Sequence, residues 1–180
     1  MHLTFCGIKH AGKTSIGRAA ALRLGLPFYD TDDVLQRLYF LKSGVTRPVR
    51  EIYKVLGEDP FRQLEMEAIR TLADTDCVIA LGGGALSNPY FTDADRALLG
   101  FLCCLDVPDE VAFERVAREG LPPFLVKESD PFSAFCKSNK VRRDIFRKTA
   151  DLLFSADPSS SPEENATKIL SAVKDAGGDL

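Results

Sequence analysis

The sequence predicts an α/β fold, in which a doubly wound, parallel sheet of five strands carries helices on both faces. Short apolar runs alternate along the chain with longer segments of helical periodicity, which is the pattern of a layered α/β domain. One run, at residues 77–81, is continuously apolar, as expected for a parallel strand that is buried on both faces. The 180 residues are enough for one domain with a substantial core.

A glycine-rich loop follows the first predicted strand, at residues 3–6. Residues 7–14 read GIKHAGKT and fit G-x-x-x-x-G-K-[ST] at every fixed position, and a helix is predicted to start near Lys13. The alternative is an ordinary glycine-rich turn between a strand and a helix. In the phosphate-binding interpretation, glycines turn backbone N–H groups toward phosphate oxygens and the helix N-terminus adds positive potential. Lys13 then supplies a full charge to the outer phosphates, and the Thr14 hydroxyl is placed to ligate Mg²⁺.

The second predicted strand, at residues 26–29, ends in an acidic cluster. Gly25 is a plausible C-cap of the preceding helix, and residues 30–33 read DTDD. The cluster lies at the carboxyl end of its strand, which is the edge where open α/β sheets bind ligands. Helix N-capping by Asp32 or Asp33 is the alternative interpretation, because a helical pattern follows directly.

The next region is predicted to be helical, with a helix at residues 49–56 and a second one that runs to about residue 72. Asp59 is the predicted N-cap of the second helix, since a proline follows it. Arg62 then falls in the first turn, where a cation opposes the helix dipole. That position favours a role in ligand binding, and Glu65, three residues later, could hold the arginine in place.

Three glycines, at residues 82–84, follow the predicted buried strand. Glycines at a strand end indicate either that something approaches the backbone closely or that the turn is flexible. The sequence leaves both explanations open.

The rest of the chain continues the alternation of strands and helices. Residues 119–130 contain glycine and prolines without periodicity, which suits a mobile lid. The helix predicted at residues 132–148 is basic, which is typical of a solvated face. The other predicted elements are a helix at 91–98, a strand at 99–105, a helix at 109–118, a strand at 152–155 and a C-terminal helix capped by Ser161.

Composition and charge exclude several classes of function. The net charge of −3 provides no basic field for nucleic acid or anionic lipid, and no apolar run approaches the roughly 20 residues of a membrane span. We expect no targeting segment, since the first strand and its loop begin near residue 2, and we expect a cytoplasmic protein. The five cysteines form no C-x-x-C pair. Four of them fall in or just before predicted strands and are predicted to be small core residues in a reducing compartment: Cys6, Cys77, Cys103 and Cys104.

Four linked motifs resemble the shikimate kinase family. They are the loop at residues 7–14, FYDTD at 28–32, the pattern GE-x-x-FR-x-x-E at 57–65, and LGGGA at 81–85. Their order and spacing match across nearly the whole chain. The resemblance implies a P-loop kinase fold in a single domain over residues 1–180, with a substrate-binding helical region at about 32–61 and a lid at about 119–130.

The resemblance also implies the reaction. Members of this family use ATP and Mg²⁺ to phosphorylate the 3-hydroxyl of shikimate in aromatic amino-acid (chorismate) biosynthesis. We expect a monomer that binds ATP and shikimate and that binds neither nucleic acid nor membrane. Two alternatives are a related small-molecule kinase such as gluconate kinase, and a degenerate nucleotide-binding regulatory protein.

Matching positions imply roles for individual residues at the ATP end. Lys13 and Asp32 are the implied catalytic residues, and Thr14 and Asp30 are the implied metal site, Asp30 acting through water. The residues implied in ATP binding are His10, Ala11, Gly12, Lys13, Thr14, Ser15, Arg118 and Pro162.

At the shikimate end, Asp32 resembles the residue that bonds the substrate hydroxyls and accepts the proton of the attacking one. Arg62 and Arg142 resemble the pair that binds the substrate carboxylate, which suits bidentate guanidinium groups. The glycines Gly82, Gly83 and Gly84 bring backbone N–H groups onto the ring.

The chain departs from the family in the lid. There the family carries Arg-Pro-Leu-Leu, whereas residues 122–125 read PPFL, so Pro122 stands where the family has an arginine that reaches ATP. An arginine in that role can contribute a factor of about 10³ or more to the rate. We hypothesise that Lys127, Arg118 or Lys9 compensates, and alanine substitution of each would identify which.

Overall fold

A computed structural model describes residues 2–179, and for Pro123 and Phe124 the backbone alone. The described residues form one five-stranded sheet in the order β2-β3-β1-β4-β5, with every neighbouring pair parallel. The strands are β1 His2–Cys6, β2 Phe28–Asp30, β3 Cys77–Ala80, β4 Phe101–Asp106 and β5 Leu152–Ser155. This arrangement confirms the predicted doubly wound α/β fold.

Helices connect consecutive strands and cover the sheet. They are α1 Lys13–Leu24, α2 Thr31–Ser43, α3 Val49–Leu56, α4 Glu58–Arg70, α5 Asp93–Leu98, α6 Asp109–Glu119, α7 Pro123–Val126, α8 Pro131–Thr149 and α9 Pro162–Asp175, with a short 3₁₀ helix at Ala85–Ser87. No helix within residues 2–179 is long and apolar enough to cross a bilayer.

The strand order brings three loops to one edge of the sheet. The chain leaves β1 toward β2 on one side, and later crosses from β3 over β1 to β4 on the other side. Ligands of such sheets bind where the direction of winding reverses, outside the carboxyl ends of the strands. The loops after Cys6, Asp30 and Ala80 therefore converge at this edge.

The central strands form the core, as the apolar runs predict. All four residues of β3 are buried, and Leu3, Thr4, Phe5 and Cys6 of β1 are buried as well. The predicted role of four cysteines as core residues is confirmed: Cys6, Cys77, Cys103 and Cys104 are buried and free, whereas Cys136 is free but only partly buried.

Two predicted helix N-caps are wrong by two or three residues. Asp30, rather than Asp32 or Asp33, is the N-cap of α2, and its side chain accepts a hydrogen bond from the Asp32 backbone N–H. Helix α4 starts directly after Gly57, whose φ of 78° allows a one-residue connection from α3, so Asp59 is inside the helix. Arg62 consequently lies in the second turn of α4, where it opposes the dipole less than predicted.

The helical region beside the sheet has its own small core. Buried side chains from α2, α3 and α4 pack together, and they include Leu35, Ile52 and Leu64. This cluster is separate from the main core, so the region can hold its helices together while it forms one wall of a cavity.

The predicted lid segment is more regular than the sequence pattern indicates. Helix α7 forms one turn within it, and Leu125 is fully buried against the main core. The proline at the first position of α7 starts the turn, since its fixed φ suits a helix N-terminus. The part of the lid motif that concerns the side chains of Pro123 and Phe124 lies outside the described residues.

Replacing Thr4 by Val should destabilise the fold by about 1–2 kcal/mol, because a buried acceptor loses its partner. The Thr4 hydroxyl donates to the Leu99 carbonyl at 2.7 Å, and Thr4 is fully buried in the central strand. Urea unfolding of the purified variant measures the change. Thr71→Val is the matched control, since Thr71 makes the same kind of bond to Ala68 at 2.7 Å from an exposed position. Equal effects of the two substitutions would contradict the role of burial.

Candidate active site

A cavity of about 730 Å³ opens at the carboxyl edge of β1, β2 and β3. It brings together all of the residues that the sequence assigns to the site except Arg118. The predicted residues along its wall are His10, Ala11, Gly12, Lys13, Thr14, Ser15, Asp30, Asp32, Arg62, Gly82, Gly83, Gly84, Arg142 and Pro162.

The loop after β1 is shaped by glycine and fastened by its own lysine. Gly7 has a φ of 141°, and a Cβ there would lie 2.7 Å from the Leu105 carbonyl oxygen. Gly12, with a φ of 98°, is the N-cap of α1, so the helix N-terminus opens into the cavity. The Lys13 Nζ donates to the carbonyls of Gly7 and Ile8, each at 3.0 Å. Burial lowers the pKa of Lys13, while the charge of Asp30 opposes that shift.

A hydrogen bond joins this loop to the end of β2. The Thr14 hydroxyl donates to Asp30 Oδ2 at 2.7 Å, and Asp30 Oδ1 accepts from the Asp32 backbone N–H at 3.1 Å. A hydroxyl and a carboxylate side by side are hard oxygen ligands of the kind that Mg²⁺ prefers. The described residues contain no group of three or more His, Cys, Asp or Glu side chains that could hold a metal. The pair therefore suits an ion that takes its other ligands from phosphate and water.

Asp32 has an unusual electrostatic environment. Burial of the carboxyl, together with the charges of Asp30 and Glu65, raises the pKa of Asp32 to about 6, although the charge of Lys13 opposes this shift. Water still reaches the residue through the open mouth of the cavity. A carboxyl with this pKa can hold or release a proton close to neutral pH.

The glycine run lets two charged side chains approach the backbone. A Cβ at Gly82 would lie 2.8 Å from Asp32 Oδ1, and a Cβ at Gly84 would lie 2.7 Å from Arg62 Nη1. The Gly82 N–H donates to the Thr31 hydroxyl at 2.8 Å. Of the two explanations for the glycines, the structure therefore supports close approach.

Hydrogen bonds with two neighbouring residues hold Arg62 in place. Its Nη1 donates to Glu65 Oε2 at 3.1 Å, and the Asn88 amide donates both to that oxygen, at 2.9 Å, and to the Arg62 carbonyl, at 2.8 Å. The Glu65 side chain is 8% exposed, so the predicted restraint on Arg62 is present and buried. Arg142 of α8, which also lines the cavity, is exposed and has no polar partner among the described residues. Two guanidinium groups therefore line the same cavity.

The wall near Pro162 depends on a residue that the sequence analysis missed. Asn165 is buried in α9 and donates to the carbonyls of Asp157, Ser160 and Ser161, at 3.0, 3.3 and 3.2 Å. It thereby fixes the loop that precedes Pro162. A polar residue on the apolar face of the predicted helix is the signal that could have identified it. The capping of this helix by Ser161 is confirmed, with Glu164 completing a capping box.

The three cations that could compensate for the missing lid arginine lie in different places. Arg118 is 79% exposed on the outer face of α6 and lies 3.7 Å from Glu114, while Lys127 is exposed away from the cavity. Lys9 lies on the loop itself and lines the cavity. Arg115, one turn before Arg118, also lines the cavity and was missed, because the sequence does not show which face of α6 points inward.

Comparison with known proteins identifies the same family across almost the whole chain. The family model described as shikimate kinase matches residues 9–174. The shikimate kinase of Chlamydia pneumoniae is 33% identical over 97% of this chain and 99% of its own length, and that of Symbiobacterium thermophilum is 30% identical over 98% of each. The solved structure of Acinetobacter baumannii shikimate kinase in complex with shikimate has a TM-score of 0.79 and 27% identity, covering 97% of this chain and 93% of that one.

Replacing Asp32 by Asn should stabilise the protein at pH 7 by about 1 kcal/mol or less. The gain is small because water screens the charge of the carboxylate. The pKa of Asp32 in the folded state lies above its value in the unfolded chain, which is near 3.9. Ionised Asp32 therefore destabilises the folded state when the pH exceeds both values, and this destabilisation disappears as the pH falls toward 4. Urea unfolding at pH 7 and pH 4 measures this. Asp33→Asn removes the same charge from the same helix turn as the control, and an equal gain there would contradict the prediction.

Proposed function

This chain belongs to the shikimate kinase family, and we propose how its residues transfer the terminal phosphoryl group of ATP to the 3-hydroxyl of shikimate. The observation that supports these roles is the convergence of a phosphate loop, an unusual carboxyl and two arginines in one cavity of about 730 Å³. Since one chain supplies every wall of that cavity, we propose that the protein acts as a monomer.

We assign the ATP end to the loop at residues 7–14. Its backbone N–H groups and the N-terminus of α1 face the phosphates, and Lys13 exchanges its bonds to the Gly7 and Ile8 carbonyls for phosphate oxygens. The adenine packs near Pro162, on the wall that Asn165 fixes. The segment at about residues 119–130 acts as the lid over this end.

We assign magnesium to the bonded pair of Thr14 and Asp30. Thr14 would bind the ion through its hydroxyl, and Asp30 would orient it through water. When bound, the ion neutralises the charge of the outer phosphates. The protein residues fix where that charge is neutralised, because the Thr14 and Asp30 oxygens already lie 2.7 Å apart.

The shikimate end is assigned to the two arginines and the glycine run, with the helical region at about residues 32–61 as its outer wall. Arg62 and Arg142 bind the carboxylate, which a planar guanidinium can do with two parallel hydrogen bonds. Glu65 and Asn88 hold Arg62 before the substrate arrives, so little side-chain freedom is lost on binding. The N–H groups of residues 82–84 approach the ring without side chains in the way.

Asp32 stands between the two ends and is assigned to the attacking hydroxyl. The oxygen of the 3-hydroxyl forms a bond to the γ-phosphorus, the bond from that phosphorus to the β-γ bridging oxygen breaks, and the proton of the hydroxyl passes to Asp32. ADP and shikimate 3-phosphate result. Positioning and charge stabilisation supply most of the rate in such reactions, and the pKa of about 6 for Asp32 lets the ionised form accept a hydrogen bond at neutral pH.

An acceptor screen tests this assignment. ADP release is measured with Mg²⁺ and ATP in the presence of shikimate or gluconate, with Lys13→Ala protein prepared in parallel. We expect release with shikimate, and its loss in the variant because Lys13 lies in the phosphate loop. Release with gluconate alone would identify the related sugar-acid kinase. Nucleotide binding without turnover of either acceptor would identify a degenerate regulatory protein.

Replacing Arg62 by Ala should raise the KM for shikimate by about ten- to hundredfold, because charge-assisted hydrogen bonds to the carboxylate are lost. The KM for ATP should change by less than about threefold, since Arg62 belongs to α4 and is not part of the phosphate loop. Steady-state kinetics with each substrate varied in turn separate the two constants. Arg37→Ala, an exposed arginine outside the cavity, is the control. Equal increases in both constants would remove Arg62 from the shikimate end.

A further inference from the structure

The phosphate loop is tied to helix α6 through one residue, His10. Its backbone carbonyl accepts a hydrogen bond from Arg115 Nη1 at 2.8 Å, and its ring Nδ1 lies 3.3 Å from Glu119 Oε1. Arg115 and Glu119 are four residues apart, so both project from the same face of α6. The ring is 11% exposed, although it belongs to a loop that lines an open cavity. Two side chains of one helix therefore hold a single loop residue at two points.

The contact matters because His10 has an unfavourable backbone conformation. With a φ of 64°, His10 is the one non-glycine residue at positive φ among residues 2–179. A residue with a Cβ adopts this conformation at an energetic cost, and the conformation persists where contacts with neighbouring residues stabilise it. The hydrogen bond from Arg115 and the contact with the Glu119 carboxylate restrain it. The shape of the phosphate loop thus depends on α6.

The contact between His10 and Glu119 lies at the start of the segment at residues 119–130, the predicted lid. Glu119 is the last residue of α6, and Gly120, with a φ of 99°, ends the helix where the segment at 119–130 begins. Besides Glu119, the charged groups around the ring are Lys9, Lys13 and Arg115. Burial lowers the pKa of His10, and these three cations lower it as well. The Glu119 carboxylate opposes this shift and is the group that favours a proton on the ring.

We propose that His10 is a positioning residue for ATP, which fixes the phosphate loop and the base of the lid in one arrangement through the hydrogen bond that it accepts from Arg115 and its contact with Glu119. The proposal rests on the assignment of the loop as the ATP site. It assigns to Glu119 a role in nucleotide binding without contact to the nucleotide. Glu119 acts through the ring, so its effect should vanish when the ring is absent.

A double-mutant cycle on nucleotide affinity tests this coupling. The dissociation constant of Mg²⁺-ATP is measured by calorimetry without any acceptor. Glu119→Ala should weaken binding by about three- to fivefold, the size expected for a partly exposed polar pair. His10→Gly keeps the left-handed backbone and the carbonyl and removes only the ring, and it should weaken binding at least as much. The double variant should bind no more weakly than His10→Gly.

Two further variants complete the cycle. Glu114→Ala is the control, since Glu114 lies on the same helix, pairs with Arg118 and is 69% exposed, as Glu119 is. It should leave the affinity unchanged. His10→Asn places an amide N–H near the position of Nδ1 and tolerates positive φ, so it should restore most of the affinity lost in His10→Gly. The proposal would be overturned if Glu119→Ala left the affinity for Mg²⁺-ATP unchanged. It would also be overturned if Glu119→Ala weakened binding equally in the protein that retains the His10 ring and in the His10→Gly variant.

The contact can also be observed without a nucleotide. The chain has two histidines, His2 and His10, so their ring signals can be assigned in NMR spectra with one substitution. Because Glu119 favours the proton on His10, Glu119→Ala should lower the pKa of His10 further, and Glu114→Ala should not. A His10 titration that is unaffected by Glu119→Ala would overturn the contact. Since neither calorimetry nor titration uses shikimate, a failed acceptor screen would leave this result intact.

Discussion

The hydrogen bond between Thr14 and Asp30 is the interaction on which the site depends. It joins the loop after β1 to the end of β2, two strands that are not neighbours in the sheet, because β3 lies between them. Asp30 serves two purposes, since its other oxygen caps α2. The capped helix carries Asp32 into the cavity at a fixed distance from Lys13. A parallel sheet makes this possible because its strands all end at the same edge.

Charge is concentrated at this edge in a way that stability alone would not favour. Asp30, Asp32 and Glu65 crowd together, and their mutual repulsion helps to raise the pKa of Asp32 to about 6. Lys13 lies among them, and burial lowers its pKa. A bound anion would stabilise the charged form of Lys13, and a bound cation would stabilise the ionised carboxylates, so the arrangement suits a phosphate group accompanied by a cation. The left-handed backbone of His10 belongs to the same pattern of locally unfavourable structure at a binding site.

The site is also built from two kinds of support. The phosphate loop depends on backbone conformation, with glycines at the turns and α6 behind His10. The end that we propose for shikimate depends on buried side chains, since Glu65 and Asn88 form a polar network with Arg62. A network of this kind fixes an arginine only when each of its polar atoms is satisfied. The two supports share no residue, so a substitution in one should leave the contacts of the other in place.

The sequence by itself determined the fold class and the phosphate loop, because these depend on periodicity and on local residue patterns, and its resemblance to one family predicted most of the residues that line the site. Residues 7–14 need their glycines wherever the loop lies, and the apolar run at 77–81 must be buried in a parallel sheet. Only the tertiary structure decided which face of α6 points inward, and hence that Arg115 and Glu119 meet the loop while Arg118 does not. Such contacts join residues about a hundred positions apart, and no local pattern encodes the packing that brings them together.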